Sequence, residues 1–373
     1  MTIPFAVPEC RVAHLVERHD DSLVVPVRLD AASGRCPECG QASRSVHGRY
    51  HRHPADLPLS ASRTTLRIEV RRFYCRNPTC RRRTFAETPL TLLTLRARRT
   101  RRLCEAQARV GRACGGAGGA RLLAHLHMPA SRATVLRLVT HLPMPDAPTP
   151  IRVGIDDWAI RKGSRYGTIV VDLDRRRVVD LLPDRTAPTV AGWLERHSGV
   201  ALVARDRSIE YARGASLGAP QARQVADRWH LLTNMRQAVE RWLAQPTSVL
   251  DESEAAVVSR VEQDDTAQAV AGLARRFTAL VRAAGKGKPL ADDQDAAADI
   301  VAWITKARTC EASAIATFAS GLEADIAAVR PALTEPWSSG QAEGQVNRLT
   351  LIKRQCYGRA GLDLLKRRMV LAA

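Results

Sequence analysis

The chain has 373 residues, which is enough for two or three domains with cores of their own. No apolar run reaches the roughly 18 residues of a membrane-spanning helix. The first ten residues lack the charged and apolar regions of a signal peptide. We therefore expect neither a membrane protein nor a secreted one, but a protein of the bacterial cytoplasm.

The net charge of +19 is unevenly distributed along the chain. Residues 1–150 contain 25 arginines, no lysine and 11 acidic residues, which gives this part a charge of +14. The remaining 223 residues carry only +5. A local excess of arginine favours a polyanionic partner. We expect the N-terminal part to bind it.

Two closely spaced cysteine pairs are the clearest motif of this part. Cys36-Pro-Glu-Cys39-Gly is followed by Cys75-Arg-Asn-Pro-Thr-Cys80, and residues 64–73 between them have the composition of a β-strand. In a cytosolic protein, such pairs favour a tetrahedral Zn²⁺ site over disulfides or a redox role. The spacing predicts a zinc ribbon, for whose folding about 10–16 kcal/mol of apparent metal-binding free energy is available.

Arginines and aromatic residues surround the second cysteine pair. We expect Phe73, Tyr74 and Phe85 to form the small core of the ribbon rather than to contact nucleic acid. The arginines are the better candidates for contacts with phosphate groups. Those expected to bind DNA here are Arg71, Arg72, Arg81, Arg82 and Arg83.

Residues 96–142 predict a helical module that opens with the basic run RARRTRR. The glycine-rich segment 115–119 interrupts its first helix, and after a turn at 127–130 Ser131 caps a further helix over 132–142. This order is typical of a helix-turn-helix, although any three-helix bundle gives the same pattern. The residues expected to contact DNA are Arg98, Arg99, Arg101, Arg132 and Arg137.

Three consecutive β-strands are predicted over 152–161, 167–173 and 178–182, because valine and isoleucine dominate them and turn residues separate them. Asp156 and Asp157 lie inside the first strand, where acidic residues are disfavoured. A buried carboxylate needs a partner, and a metal ion is the usual one. An edge strand with solvated acids is the alternative.

Helices and short strands alternate in the next part of the chain. The predicted elements are a helix over 186–197, a strand over 200–204, a helix over 208–217, a strand over 222–226 and a helix over 231–245. The complete order, β-β-β-α-β-α-β-α, is that of the ribonuclease H-like topology. Its first and fourth strands are neighbours, which brings Asp156 close to Asp206 at the end of the fourth strand.

The C-terminal part returns to helices. Residues 246–331 are rich in alanine and predict an all-α insertion with a break at 285–289. Ser338 and Gln341 then predict a capping box at the start of another helix. One face of that helix carries Glu343, Asn347, Leu351 and Arg354. The helix ends in a basic run, from which Lys353 and Arg354 are expected to contact DNA.

Four long segments together resemble the DDE transposases of the ISL-three insertion-sequence family. They are CPECG with FYCRNPTCRRRTFAE, GIDDWAIRKGSRYGTIVVDLDRRRVVDLLPDR, RDRSIEYARGASLGAPQARQVADRWHLLTNM and WSSGQAEGQVNRLTLIKRQCYGRAG. The resemblance covers nearly the whole chain, and its motifs are long and occur in order. It implies that Asp156, Asp206 and Glu343 form the catalytic triad.

The resemblance also implies the surroundings of the triad. Asp227 and His230 form the Asp-x-x-His signature that follows the second catalytic aspartate, and Asp157 is the second choice for the first triad position. We expect Asp157, Asp227, His230 and Asn347 to lie next to the triad and to contact its residues rather than the metal ions. Three carboxylates are enough to hold two Mg²⁺ or Mn²⁺ ions for phosphodiester chemistry.

The predicted architecture is a multi-domain α/β protein with a ribonuclease H-like catalytic core, which contains an all-α insertion and is preceded by a zinc ribbon and a helix-turn-helix domain. The proline-rich segment PMPDAPTP can neither continue a helix nor join a sheet interior. The expected boundaries are 1–95 for the zinc-ribbon DNA-binding domain, 96–142 for the helix-turn-helix, 143–150 for the linker, 151–245 for the first part of the core, 246–331 for the insertion and 332–373 for the C-terminal core helix with Glu343.

The expected function is that of a transposase acting in the bacterial nucleoid. Such an enzyme binds double-stranded DNA at the terminal inverted repeats of its element, cleaves the strands and joins them to target DNA. It would act as a homo-oligomer, at least a dimer on paired ends. A transposase-derived DNA-binding protein without catalysis and a structure-specific nuclease on the same fold are the alternatives.

Overall fold

The computed structural model describes residues 7, 10–13, 16–146, 148–244, 264–284 and 293–371. The chain forms two compact units, the first comprising Met1–Met144 with Ile352–Ala372 and the second Pro145–Leu351. The division falls inside the proline-rich segment that was predicted to be a linker. Residues from Ile352 onward belong to the first unit, whereas all of 332–373 was predicted to belong to the core. Within the described ranges, every helix is too short or too polar to cross a membrane.

A seven-stranded sheet dominates the first unit, with the central order β1-β3-β8-β6, β2 paired to β3, and β7 and β9 paired to β8. On the long strand β8, Leu66, Ile68 and Val70 are completely buried. Their alternation with half-buried residues gives the sheet one apolar face. The strands are β1 (Cys10–Val12), β2 (Glu17–His19), β3 (Ser22–Leu29), β4 (Gly34–Arg35), β5 (Ala42–Ser43), β6 (Val46–Arg52), β7 (Ala55–Leu59), β8 (Ser62–Tyr74) and β9 (Thr84–Ala86). β4 and β5 form a separate two-stranded sheet.

The first unit also contains the helices α1 (Arg101–His125) and α2 (Arg132–Thr140). α1 begins after Thr100, whose hydroxyl accepts the amide hydrogen of Leu103, and therefore starts later than the predicted residue 96. The predicted interruption over 115–119 is confined to a kink at Gly115, where φ is 72°.

The glycines of α1 allow this helix to pack closely against α2 and do not end it. A Cβ atom at Gly111 would lie 2.4 Å from Cγ1 of Val135 in α2, and one at Gly116 would lie 2.8 Å from Cγ of Leu136. Both distances are shorter than van der Waals contact. The two helices can therefore approach each other only because these positions lack side chains.

The kink at Gly115 has a partner in the C-terminal part of the same unit. Arg368 lies in a helix that we number α11 (Leu362–Val370), and it is almost completely buried. Its guanidinium donates hydrogen bonds to the carbonyl oxygens of Arg112 and Ala113, both at 2.8 Å. These carbonyls precede the kink, where the regular helical hydrogen bonds are interrupted, so Arg368 supplies the missing donors.

A five-stranded sheet forms the centre of the second unit, in the order β12-β11-β10-β13-β14. β10, β11 and β12 are antiparallel, whereas β13 pairs parallel to β10 and β14 parallel to β13. The strands are β10 (Arg152–Arg161), β11 (Arg165–Asp172), β12 (Arg177–Leu182), β13 (Leu202–Arg205) and β14 (Arg223–Ala226). The helices between and after the last strands are α3 (Ala187–Glu195), α4 (Ile209–Gly218) and α5 (Arg228–Leu243).

This order of strands and helices is the predicted one, including the adjacency of the first and fourth strands. The two faces of the sheet have separate cores. Val153, Ile155 and Val203 pack with residues of α3 and α4 on one face. Ala204 and Ala226 belong to the core that α5 shares with the following helices. α5 begins three residues earlier than predicted because Asp227 caps it.

The described part of the predicted insertion is helical, as expected, and the helix that carries Glu343 follows it. Trp303, Phe277 and Phe318 form its aromatic centre, with ring centroids 4.8 to 6.0 Å apart. The predicted break at 285–289 lies outside the described residues. The helices are α6 (Asp265–Ala284), α7 (Asp293–Arg308), α8 (Ser313–Ala324), α9 (Ile326–Thr334) and α10 (Gly340–Gln355).

Candidate functional site

The four predicted zinc ligands lie together in the first unit. The sulfur atoms of Cys36, Cys39, Cys75 and Cys80 are all within 4.8 Å of one another, with Cys36 and Cys80 3.9 Å apart and Cys39 and Cys75 3.6 Å apart. Four thiolates at about 2.3 Å from a tetrahedral Zn²⁺ would be about 3.8 Å apart. A hydrogen bond from the Gln41 backbone lowers the pKa of the Cys39 thiol to about 7, whereas burial and the neighbouring thiols raise the pKa values of Cys75 and Cys80. The cluster therefore fits a structural zinc ion.

The core around these cysteines is small. Phe73 and Phe85 are buried beside Cys36 and Cys80, and their rings stack with centroids 5.8 Å apart. The prediction that they form the ribbon core is confirmed for these two residues and wrong for Tyr74, which is 39% exposed. β8 places Tyr74 on the side opposite Phe73, where it packs against His47 and beneath the guanidinium of Arg76.

The arginines predicted to bind DNA differ in their surroundings. Arg71 forms a close ion pair with the buried carboxylate of Glu87, which raises the pKa of Arg71. It therefore supports the fold of the first unit. Arg82 pairs with Glu38 at the surface, and Arg72 donates to the hydroxyl of Thr84. Arg99 and Lys353 are half-buried, and the exposed ones include Arg81, Arg83, Arg98, Arg101, Arg132, Arg137 and Arg354.

Asp156 and Asp157 face opposite sides of the sheet, because successive residues of a strand alternate. Asp156 shares a face with Gly154, where an added Cβ would lie 3.7 Å from Cβ of Ala342 in α10. Asp156 is thus on the side that α10 covers, and Glu343 directly follows Ala342. Asp157 instead forms an ion pair with Arg185 at 2.9 Å. This geometry favours Asp156 over Asp157 as the partner of Glu343.

Asp206 follows β13 directly and lies next to Asp156 by register. Gly154 of β10 is paired with Ala204 of β13, and both aspartates lie two residues further along. Burial raises the pKa of Asp156 from 3.8 to about 7, and the negative charges of Asp157, Asp206 and Asp227 add to this effect. Burial also raises the pKa of Asp206. The strand ends therefore hold a group of desolvated carboxylates that repel one another.

Asp227 connects two helices that are far apart in the sequence. One carboxylate oxygen accepts the amide hydrogen of His230 and caps α5, and the other accepts that of Ser339 at the start of α10, both at 3.0 Å. The carbonyl of Ser339 in turn accepts the amide hydrogen of Glu343. The carboxylate of Asp227 thus fixes the backbone at the start of the helix that presents Glu343.

The predicted capping box at the start of α10 is wrong. Ser338 accepts a hydrogen bond from Gly340 rather than from Gln341, and the side chain of Gln341 donates to the carbonyl of Leu173 in the sheet. The hydrogen bonds at this helix start are made with residues distant in sequence: Asp227 accepts from Ser339, and Leu173 accepts from Gln341. A tertiary hydrogen bond therefore replaces the local one.

Arg228 fixes the chain segment that leads into α10. Its guanidinium donates to the carbonyl oxygens of Ala332 and Glu335, at 3.0 and 2.8 Å, and to that of Pro336 at 3.1 Å. Sequence reasoning missed this residue. The available signal was an arginine at the first position of a helix, where the helix dipole disfavours positive charge.

Replacing Arg228 with alanine is expected to lower the free energy of unfolding by about 2–4 kcal/mol, because three carbonyl groups lose their donor in a partly buried place. Urea denaturation followed by circular dichroism would measure the loss. Arg236→Ala is the matched control, since Arg236 lies on the same helix and forms only an exposed pair with Glu240. Equal stability of the two variants would contradict the anchoring role.

The remaining predicted residues lie around the two aspartates. Glu343 is half-buried in the first turn of α10, Asn347 is exposed one turn later, and half-buried His230 acts electrostatically on Asp206. Among the residues that the structure describes, only the four cysteines bring three or more potential ligand atoms within 4.8 Å of one another. Within the same described residues, Asp156, Asp206 and Glu343 do not form a cluster of this kind.

Comparison with known proteins gives both units a family. A family model described as "Transposase" matches residues 153–263 and 242–369. A model described as "zinc-finger of transposase IS204/IS1001/IS1096/IS1165" matches residues 32–80, which include all four cysteines.

A curated relative, the transposase for insertion sequence element IS1001 of Bordetella parapertussis, is 27% identical over 215 residues. The match covers 55% of this chain and 51% of that protein, so the chain spans about half the length of this relative. The two family matches together cover the zinc ribbon and more than half of the chain. The chain therefore belongs to the ISL3 (ISL-three) family of transposases and carries the zinc ribbon of that family in its N-terminal part.

Proposed function

We propose that this protein is a DDE transposase that binds the terminal inverted repeats of its element and cleaves and transfers DNA strands with two divalent metal ions. The observation that carries the proposal is the placement of Asp156 and Asp206 at neighbouring strand ends, on the side where α10 presents Glu343. Two of these acids are desolvated, which makes a divalent cation a favourable partner.

The catalytic unit is proposed to have a ribonuclease H-like fold. The support is its sheet order, in which an antiparallel meander of three strands is extended by two parallel strands on the side of the first. α3 and α4 pack on one face and α5 on the other. The proposed domains keep the predicted boundaries, apart from the residues after Ile352, which belong to the first compact unit.

The carboxylate set fits Mg²⁺ or Mn²⁺, because both ions prefer carboxylate oxygen ligands and retain water. When bound, the ions would activate the attacking water or 3′-hydroxyl group and stabilise the leaving oxygen. Asp156, Asp206 and Glu343 would hold them. Asp227 fixes the start of the helix that bears Glu343, and His230 lies beside Asp206, where it can orient a water molecule or a phosphate oxygen.

DNA binding is assigned to the first unit, with α1 and α2 as a helix-turn-helix. The support is the capped start of α2, where Ser131 accepts the amide hydrogen of Thr134, and the exposure of Arg132 and Arg137 beyond it. The ribbon contributes exposed arginines such as Arg81 and Arg83. A homo-oligomer, at least a dimer, would pair the two ends of the element.

The test is cleavage and joining of DNA that carries the element's ends. We expect both reactions to require Mg²⁺ or Mn²⁺ and to be lost separately in Asp206→Ala and Glu343→Ala. Glu240→Ala, which removes an exposed acid of α5, is the control with unchanged activity. Wild-type activity in both active-site variants would refute the assignment. Normal DNA binding without cleavage under either ion would favour a DNA-binding protein without catalysis.

A further inference from the structure

The buried Arg205 and the partly buried Arg207 flank Asp206, and one distant carboxylate faces both. Arg205 is only 2% exposed, and its guanidinium forms a two-pronged ion pair with Asp325 at 2.7 and 3.1 Å. Arg207 approaches the same carboxylate at 4.0 Å, and its guanidinium lies over the ring of Phe318. A single acid thus faces both neighbours of Asp206.

Asp325 comes from the helical segment that the sequence left without a function. It lies between α8 and α9, and its carbonyl accepts the amide hydrogens of Ala328 and Val329 in the first turn of α9. Its backbone position is therefore set by the packing of that helix. The part of the chain described as an insertion contributes this charge to the catalytic sheet.

The other contacts of Arg205 link Asp325 to the backbone of Asp206. Arg205 donates to the carbonyl oxygen of Asp206 at 2.9 Å and to the side-chain oxygen of Gln224 at 2.7 Å. None of the hydrogen bonds found for this guanidinium in the described part of the chain reaches the carboxylate of Asp206. The arrangement keeps the positive charge beside Asp206 and directs its donors elsewhere.

Removing the charge of Asp325 would leave two cations without a full counter-charge in a poorly solvated place. A buried guanidinium that loses its partner carries a large desolvation penalty and turns to the nearest carboxylate. For Arg205, the carboxylate of Asp206 is within electrostatic reach. Within the described residues, Nε of Arg207 is buried and already lacks a hydrogen-bond acceptor, so this arginine is the one poised to move.

We propose that Asp325 is a positioning residue, which holds Arg205 and Arg207 away from the carboxylate of Asp206 and so leaves that carboxylate open to a divalent cation. The inference rests on the proposed function, in which Asp206 is a metal ligand. It gives the helical insertion a direct part in the active site. Through Asp325, the insertion controls which charged groups reach the carboxylate of Asp206, in addition to packing against the core.

The experiment measures Mn²⁺ binding to the full-length protein without DNA, by electron paramagnetic resonance of the free ion. We expect the dissociation constant of the site that is lost in Asp206→Asn to rise about ten-fold in Asp325→Asn. Asp325→Asn together with Arg207→Gln should recover most of the affinity, because the competing cation is gone. Glu323→Gln, which removes an exposed acid of the same insertion, should bind like the wild type.

The outcomes separate the two proposals. Unchanged Mn²⁺ binding in Asp206→Asn would refute the proposed metal site itself. Loss of binding in Asp206→Asn with wild-type binding in Asp325→Asn would overturn the positioning role and leave the proposed function intact. Failure of the double variant to recover affinity would show that Asp325 only supports the fold. If Asp325→Asn does not fold, Arg207→Gln alone decides, since binding at least as tight as wild type is expected and weaker binding would contradict us.

Discussion

Asp156→Asn is expected to reduce DNA cleavage by about a thousand-fold or more and, at the same time, to stabilise the protein freed of divalent metal. The loss of activity follows from the proposed function, in which Asp156 is an anionic metal ligand. The gain in stability follows because the native state holds Asp156 buried at 9% exposure among three other aspartates. Asparagine keeps the oxygen that accepts the amide hydrogen of Asp157.

The pH dependence of this gain has a definite sign. Burial raises the pKa of Asp156 from 3.8 to about 7 in the folded protein, so the folded state binds the proton more tightly than the unfolded state. Ionisation of Asp156 therefore costs nothing below about pH 4, and the cost grows with pH until it is complete above pH 7. Since one pKa unit corresponds to about 1.4 kcal/mol, the variant should gain up to about 4 kcal/mol at pH 8.

Thermal unfolding in EDTA from pH 4 to pH 8 would measure the effect, with the wild-type and variant curves diverging as the pH rises. Adding Mn²⁺ should stabilise the wild type and leave Asp156→Asn unchanged. Asp157→Asn is the matched neighbour, and we expect it to lose the ion pair with Arg185 but to keep the response to Mn²⁺. A wild-type protein as stable at pH 8 as its Asp156 variant would contradict the buried-charge argument.

Removal of zinc, by chelation or by Cys36→Ser, is expected to unfold one end of the first unit and to leave the rest of its sheet folded. Among the described residues, the ribbon core consists of two phenylalanines and three of the four cysteines, so metal binding, worth about 10–16 kcal/mol in such modules, decides whether it folds. β3 and the first part of β8 have a separate core around Val25, Leu66 and Ile68.

Hydrogen exchange would distinguish the two parts. Protection should disappear over residues 32–45 and 75–86 after chelation and persist over β3 and residues 64–70 of β8. Cys104→Ser is the control, because Cys104 lies in α1 and not in the zinc cluster. The same treatment should weaken binding to end-bearing DNA. Retained protection around Phe85 without metal would show that the module does not depend on zinc.

The sequence predicted most of the second unit because its periodicities are simple. Short apolar strands alternate with amphipathic helices, and the order of elements alone made β10 and β13 neighbours. The cysteine cluster could be predicted equally well, since the distance along the chain hardly matters when a metal joins two short motifs. The resemblance preferred Asp156 to Asp157, and the alternation of the strand favours the same choice. The role of these acids stays a prediction.

Other features could not be inferred from local patterns. The glycines of α1 have the composition of a helix break, but their neighbours in α2 show that they are packing positions. The start of α10 has a local capping motif, but Asp227, 112 residues away, makes the bond to Ser339. The pairing of Asp325 could not be predicted from the residues around it, because its partners, Arg205 and Arg207, lie about 120 residues earlier in the chain. Long-range pairing decided each case.

The two bonds of Asp227 also bear on how far the protein can tolerate changes in length. The chain leaves the sheet of the second unit at this carboxylate, and 112 residues later it returns to the same carboxylate. The two ends of the segment between His230 and Ser339 are therefore held by a single side chain. Shortening or extending that segment away from Arg228 and Asp325 should leave the spacing of the three acids unchanged, which makes it a natural place for inserted segments or fused reporter domains.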